Sequence, residues 1–435
     1  MGVIGLAILV VTGCTAQIGD SRPISPLGSL AHHKPVTLTL WGFFTGREAA
    51  VVDGELAQLH KRYPWLTVKQ VQGKIDDDVL RGINSGHPPD LALLGGPQNL
   101  AKFCDSGALR DIGPVARKDH LDLSATFPKQ VLTYSSYGGK TCALPLLTDA
   151  FGLYYNKTLL AKAGYHHPPR TLSELTTMAK KLTTYNKDGS IKVAGFVPLS
   201  TFYESAHALQ GNYFGASWYH NGTSVLGTDS AWVRGLDWEK SLIKSIGYDK
   251  LSKFAATLGA ESEFASNNGF ETGKVAMMID GEWRVAFATA DKTKVDYATA
   301  PFPADNPALY GSGQIGGTLI GIPAGVKHPS ESWLAMRYLA TNTGALNQLS
   351  AGLKNVPTTF ASLRTSKFSR NPLTSTFAQI LQNKHSSWKQ PTTAGQVDID
   401  LLTAFEGKWE AGQVGDLRGG LRQLAKDVNT QTAIR

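Results

Sequence analysis

The residues best suited to do chemistry lie in one stretch, 270–287, F-E-T-G-K-V-A-M-M-I-D-G-E-W-R-V-A-F. Gly273 reads as a helix stop, because glycine enters a left-handed C-cap at little cost. The apolar run from Val275 to Ile279 predicts a buried strand. Asp280 and Gly281 predict a turn that delivers Glu282 and Trp283 together at the strand's C-terminal end, where open α/β sheets bind their ligands. A flat aromatic face beside a carboxylate suits a ligand with one apolar face to pack on the indole and hydrogen-bonding groups at its edge, held in a concave site.

The elements that must position these residues follow from the pattern upstream. The alternation in Val36–Trp41 predicts a first strand, and Gly42–Gly46 a loop at its end. Val52, Leu56, Leu59 and Tyr63 recur at helical spacing until Pro64. Thr67–Val71 predicts a second strand, and Val79, Leu80 and Ile83 mark one face of a second helix. Asp90–Leu94 is apolar enough to predict a central parallel strand. This β-α-β-α-β order opens a doubly wound α/β sheet. Further on, residues 153–160 predict the start of a helix, Thr171–Glu174 a capping box and Gly195–Leu199 a strand. Thr318–Pro323 predicts another strand, followed by a helix around Trp333–Leu339.

A chain of 435 residues is too long for one small core, so two domains are expected. With 42% hydrophobic and 18% charged residues it is ordinary for a globular protein. The formal charge of +8 comes from scattered Lys and Arg with no basic block, which argues for a solvated surface and against nucleic-acid binding. Residues 2–11 are short and apolar, like a signal-peptide core, and Val11-Thr12-Gly13-Cys14 resembles the lipobox of bacterial lipoproteins. The resemblance implies a signal peptide over 1–13, lipidation of Cys14, and membrane attachment through that lipid alone. Residues 14–35, rich in Pro, Gly and Ser, predict a flexible tether. Cys104 and Cys142 remain, either as a disulfide of an exported chain or as two buried thiols.

Other motifs fail on context. Gly311–Gly316 fits G-x-G-x-x-G, but a strand follows where a dinucleotide fold needs a helix. Gly139-Lys140-Thr141 lacks the first glycine of a phosphate loop. His32-His33 and His166-His167 lie in the tether and on a surface turn. No metal and no cofactor is expected.

Five stretches, in order, resemble the extracellular solute-binding proteins of bacterial ATP-binding-cassette (ABC) carbohydrate importers. They are W-G-F-F-T-G; P-P-D-L-A-L-L with D-S-G-A-L-R-D-I; A-L-P-L-L-T-D-A-F-G-L-Y-Y-N-K-T-L-L-A-K-A-G; F-E-T-G-K-V-A-M-M-I-D-G-E-W; and G-G-T-L-I-G-I-P. The resemblance implies a two-lobed periplasmic-binding-protein-like α/β fold, each lobe a mainly parallel sheet flanked by helices, with ligand in the cleft. Hinges are expected at Thr148–Tyr155 and Ile315–Thr318. Lobe one would be 36–148 plus 317–365, and lobe two 149–316 plus 366–435. By position, ligand contacts are expected from Phe44, Thr45, Gln98, Asp149, Tyr203, Glu204, Glu282, Trp283 and Gly317. The implied partners are a small carbohydrate and an ABC permease with its cytoplasmic ATPase. The chain would act as a monomer on the extracytoplasmic face of the cell membrane.

Asp149, Glu204, Asp280 and Glu282 give the expected cleft acid without base. That fits a neutral sugar, or an amino sugar whose ammonium pairs with a carboxylate. Two other readings stay open. One is a secreted hydrolase using Asp149 and Glu282 as its two carboxylates. The other is the same binding fold serving a glycerophosphodiester, which would need an Arg in the cleft.

Overall fold

The computed structural model describes residues 23–27, 34–206, 211–259, 263–388, 392–393 and 395–433. Cys14 and the expected signal peptide lie outside them. Ten strands build the two main sheets: β1 (Val36–Trp41), β2 (Leu66–Val71), β3 (Leu91–Leu94), β4 (Ala143–Pro145), β5 (Leu147–Asn156), β6 (Met277–Gly281), β7 (Tyr297–Ala300), β8 (Ile315–Gly316), β9 (Leu319–Gly321) and β10 (Val356–Pro357).

The first sheet has the order β2-β1-β3-β9-β4. β1 runs parallel to β2 and β3, as the alternating and apolar patterns predict, and all four residues of β3 are buried. β9 returns from far along the chain and pairs antiparallel between β3 and β4. Helix α1 (Gly46–Arg62) buries Val52, Leu56 and Leu59, the stripe read from the sequence. Helix α2 (Asp76–Asn84) buries Val79 and Ile83. Residues 23–27 are seated on this lobe, although they fall in the stretch expected to be a flexible tether. Ile24 joins the core, Ser25 N–H donates to Ser330 Oγ at 2.9 Å, and Leu27 N–H to Asp119 Oδ1 at 2.9 Å.

The second sheet is organised around β5. Its ten residues pair in succession with β10 at Leu147 and Thr148, β8 at Asp149 and Ala150, β6 from Phe151 to Tyr155, and β7 from Leu153 to Asn156. Every one of these pairings is antiparallel, so the expected mainly parallel sheet is found in β1–β3 but not here. The chain leaves the first sheet at Pro145, where β4 ends, and enters the second at Leu147, where β5 begins. The stretch 153–156 is strand, not helix. Its apolar residues lie buried between β6 and β7, and the helix over Lys157–Lys162 begins only where Asn156 caps it, accepting from Leu159 N–H. Gly195–Leu199 also forms no strand; only Ala194 makes an isolated bridge, to Val275. The capping box at Thr171 and Glu174 is formed.

Three segments cross between the sheets: β4 into β5, β8 into β9, and the approach to β10. Gly317, with φ +127°, is where two of them touch. A Cβ there would lie 2.4 Å from the Leu147 carbonyl oxygen and 2.8 Å from the Asp149 nitrogen. The glycine is therefore required by the crossing itself.

Cys104 and Cys142 are joined in a disulfide, with Cα atoms 5.7 Å apart and 38 residues of separation. Closing a loop of that length restricts the unfolded chain by about 4 kcal/mol in the chain-entropy limit. Replacing both cysteines by alanine should lower unfolding free energy by about 2–4 kcal/mol. Urea denaturation with and without reductant checks this: reductant should destabilise the parent protein and leave the double variant unchanged.

Candidate functional site

β6 ends differently from the expected turn. Asp280 and Gly281 still belong to the strand, and Glu282 and Trp283 form the bend into helix α3 (Arg284–Ala290). Gly281 permits this bend, because a Cβ would sit 2.2 Å from the Trp283 ring, which folds back over the strand. The Gly281 carbonyl accepts from Tyr154 Oη at 2.8 Å, and the indole meets Phe151 edge-on at 5.5 Å between centroids. Trp283 is thus braced on two sides and keeps a partly exposed face.

That face lines a cavity of about 320 Å3 between the sheets. Phe43, Phe44 and Gly95 come from the loops after β1 and β3, and Glu48 from the first turn of α1. Phe264, Trp283 and Phe287 come from the other side, and Asp149, Thr318 and Asn355 from the crossing segments. Among the described residues the lining carries two carboxylates, Glu48 and Asp149, and no Arg or Lys. Arg47 lies at the rim, with its guanidinium 5.9 Å from the Phe287 centroid and bonded to the Gly352 carbonyl at 2.9 Å. The volume is at the small end of the range for ligand pockets, about 300–1,000 Å3.

Beneath the cavity, two carboxyl groups share one junction. Asn355 Nδ2 donates to Asp149 Oδ1 at 2.7 Å and to Glu282 Oε1 at 2.8 Å, while Ala150 N–H donates to Glu282 Oε2 at 2.8 Å. Glu282 is fully buried. Burial, and then the neighbouring Asp149 charge, push its carboxyl well above the usual range. Burial raises Asp149 to about 6, against the hydrogen bonds from Glu282 and Asn355. Glu282 therefore holds the proton, and Asp149 is the carboxylate that faces the cavity.

Asp280 is fully buried and spent on Arg284 Nε at 2.7 Å, so it is not a cleft acid. Arg284 also pairs with Glu271 and stacks under Phe287 and Phe264 at 5.3 and 5.9 Å. The cation that balances this acidic floor is thereby sealed beneath the aromatic wall.

The other expected contacts divide. Phe44, Asp149 and Trp283 line the cavity; Glu282 supports it from below. Thr45 caps the start of α1 and is exposed, and Gly317 serves the crossing. Gln98 turns back over Gly96 rather than into the cavity. Tyr203 stacks on Phe202, accepts from Gly269 N–H at 2.9 Å, and lines a different recess together with Glu263. Glu204 lies beside Glu263, and burial followed by the Glu263 charge raises its carboxyl far above normal. Sequence reading missed Phe43, Glu48, Phe264, Phe287 and Asn355. Only Phe43 had a signal, in the quoted W-G-F-F. Trp388 was also missed; its ring packs over Gly316, with Pro97 on the same glycine, and its buried indole N–H has no hydrogen-bond partner among the described residues.

Residues 49–346, more than half of the chain, match the model of the bacterial extracellular solute-binding protein family. The chain belongs to that family. A Deinococcus radiodurans protein named "Probable ABC transporter-binding protein" is 30% identical over 238 residues, 52% of this chain and 53% of its own length. A Streptococcus pneumoniae maltooligosaccharide ABC transporter solute-binding lipoprotein is 27% identical over 317 residues, 70% of this chain and 66% of its own. The chain thus spans between about half and two thirds of these relatives. In fold, this solute-binding protein is similar to a mannotriose-bound protein, CpMnBP1 (TM-score 0.77, 23% identity, 91% and 100% of the two chains), and to the sugar-binding protein MalE of Xanthomonas citri (TM-score 0.75, 18% identity, 92% and 98%).

The Asp149 carboxyl has a testable consequence. Its folded pKa of about 6 exceeds the ordinary 3.8, so the native state holds a proton that the unfolded chain has already lost between those values. Its contribution to stability therefore falls as pH rises through that window and is constant above it. Asp149→Asn should gain on the parent protein by about 1–3 kcal/mol from pH ~4 to ~7. Urea denaturation of the two proteins over that range checks it; parallel curves would refute the assignment.

Proposed function

We propose that this solute-binding protein captures a mono- or oligosaccharide in the cavity beneath Trp283 and delivers it to an ABC permease. The observation that carries the reading is the placement of the Trp283 face, with Phe43 and Phe44 opposite, around the partly open Asp149 carboxylate. An indole packs the apolar face of a pyranose, and a carboxylate accepts from its hydroxyls. The maltooligosaccharide-binding relative and the sugar-bound structures of the same fold support a carbohydrate as ligand. The protein works as a monomer, tethered by a lipid on Cys14 at the extracytoplasmic face, with the permease and its cytoplasmic ATPase as partners.

Hydrolysis is the poorer reading. Glu282 is sealed below the cavity and shares Asn355 with Asp149, so the two do not flank a bond as an acid and a nucleophile about 5–10 Å apart must. A glycerophosphodiester is disfavoured by a lining whose described residues offer two carboxylates and no cation. The same lining extends the reading to amino sugars, whose ammonium would pair with Asp149.

A thermal-shift screen followed by titration calorimetry tests this. A matching sugar at 100 times its Kd should add about 2.7 kcal/mol of stability. Trp283→Ala should abolish that gain while keeping the parent circular dichroism spectrum. Amino sugars should bind more weakly to Asp149→Asn than to the parent. Stabilisation by a sugar phosphate alone, or equal sugar binding by Trp283→Ala, would overturn the reading.

A further inference from the structure

The lysines that look scattered in sequence are partly gathered by the fold. A recess of about 560 Å3, larger than the cavity under Trp283, is lined by Lys192, Lys250, Lys253 and Lys274. They come from three separate places: the hairpin strand Ile191–Val193, the helix Tyr248–Leu258, and the turn that leads into β6. All four are exposed. None makes a salt bridge among the described residues; Lys250 alone has a charged contact, lying 4.9 Å over the Tyr185 ring. Asp188 is the one acid in the lining, and its carboxylate is taken by its own turn, accepting from Ser190 N–H at 2.9 Å and from Ser190 Oγ at 2.6 Å. Phe254 and Ile191 give the recess a buried apolar floor.

Like charges around a concave wall focus a positive potential into it, and a low-dielectric floor strengthens the effect. Each ammonium is a point charge with three donors, and an anion that spreads several charges over tetrahedral phosphoryl oxygens can meet more than one of them at once. We propose that this recess is a second ligand site, on the opposite charge principle from the sugar cavity, and that it binds a multiply charged phosphoryl anion. The site stands apart from the cavity under Trp283 and shares no lining residue with it.

Tripolyphosphate is the probe. Titration calorimetry on the purified protein should show saturable binding that weakens about tenfold or more between about 20 and 200 mM salt, as unpaired surface charge is screened. Lys250→Glu/Lys253→Glu should lose that binding, Lys250→Arg/Lys253→Arg should keep most of it, and Lys69→Glu/Lys102→Glu, which carries the same charge change on the first sheet's lobe, should leave it intact. Circular dichroism confirms that each variant is folded. A parallel sedimentation assay with phosphatidylglycerol vesicles distinguishes sources: binding to both probes through Lys250 and Lys253 points to a polymeric or lipid phosphodiester, and binding to tripolyphosphate alone points to a soluble anion. Absent tripolyphosphate binding, equal binding by Lys250→Glu/Lys253→Glu, or equal loss in the Lys69→Glu/Lys102→Glu variant would overturn the proposal.

Discussion

Two carboxyl groups in a dry junction cannot both be charged, and much of this molecule is arranged around that fact. Asp149 and Glu282 meet where β5 leaves the crossing, and one Asn355 amide donates to both. Glu282 belongs to the end of β6, Asp149 to β5 and Asn355 to the segment before β10. One proton and one amide thus tie three separate parts of the chain at the point where the lobes join. Removing one member leaves a buried polar group without its partner, which costs more than the bond itself. The junction also divides the labour of the acids: the neutral Glu282 is structural, and the charge that remains is presented to the cavity by Asp149.

The aromatic wall depends on the same region. Trp283 follows Glu282 directly, so fixing that carboxyl fixes the bend that carries the indole. Gly281 lets the ring fold back, and Tyr154 holds the Gly281 carbonyl from β5. Arg284, the next residue, turns its charge inward to Asp280 and Glu271. Four consecutive residues therefore set a backbone clearance, a proton, a platform and a buried counter-charge. From this stretch the cavity receives an apolar face, while the Arg284 charge is kept out of it.

Much of the fold was legible because its signals are local. Alternation in β1, the helical stripe of α1, the apolar β3 and the capping box at Thr171 each need only a short window. Residues 153–156 misled for a physical reason: an apolar run buried between two neighbours reads alike as strand or helix, and the pairing with β6 and β7 decided. The antiparallel pairing in the second sheet was hidden too, because it joins segments more than a hundred residues apart. In the site, Trp283 and Asp149 were legible from residue type and from resemblance. Asn355 was not, since a single amide in a loop carries no pattern. Nor were Phe264 and Phe287, whose faces gain meaning only once Phe43 and Phe44 stand opposite. The gathering of Lys192, Lys250, Lys253 and Lys274 around one recess was not legible, because proximity in space is not written in spacing.

The proposed binding mode lays a sugar ring on Trp283 with its rim at Asp149. A crystal structure with the most stabilising sugar bound tests it most directly. It should show a pyranose face packed on the Trp283 indole and a hydroxyl or ammonium within hydrogen-bond reach of an Asp149 oxygen, with Glu282 still bonded to Asn355 and Ala150. A sugar seated away from Trp283, in the recess beside Tyr203 or on the outer surface, would contradict it.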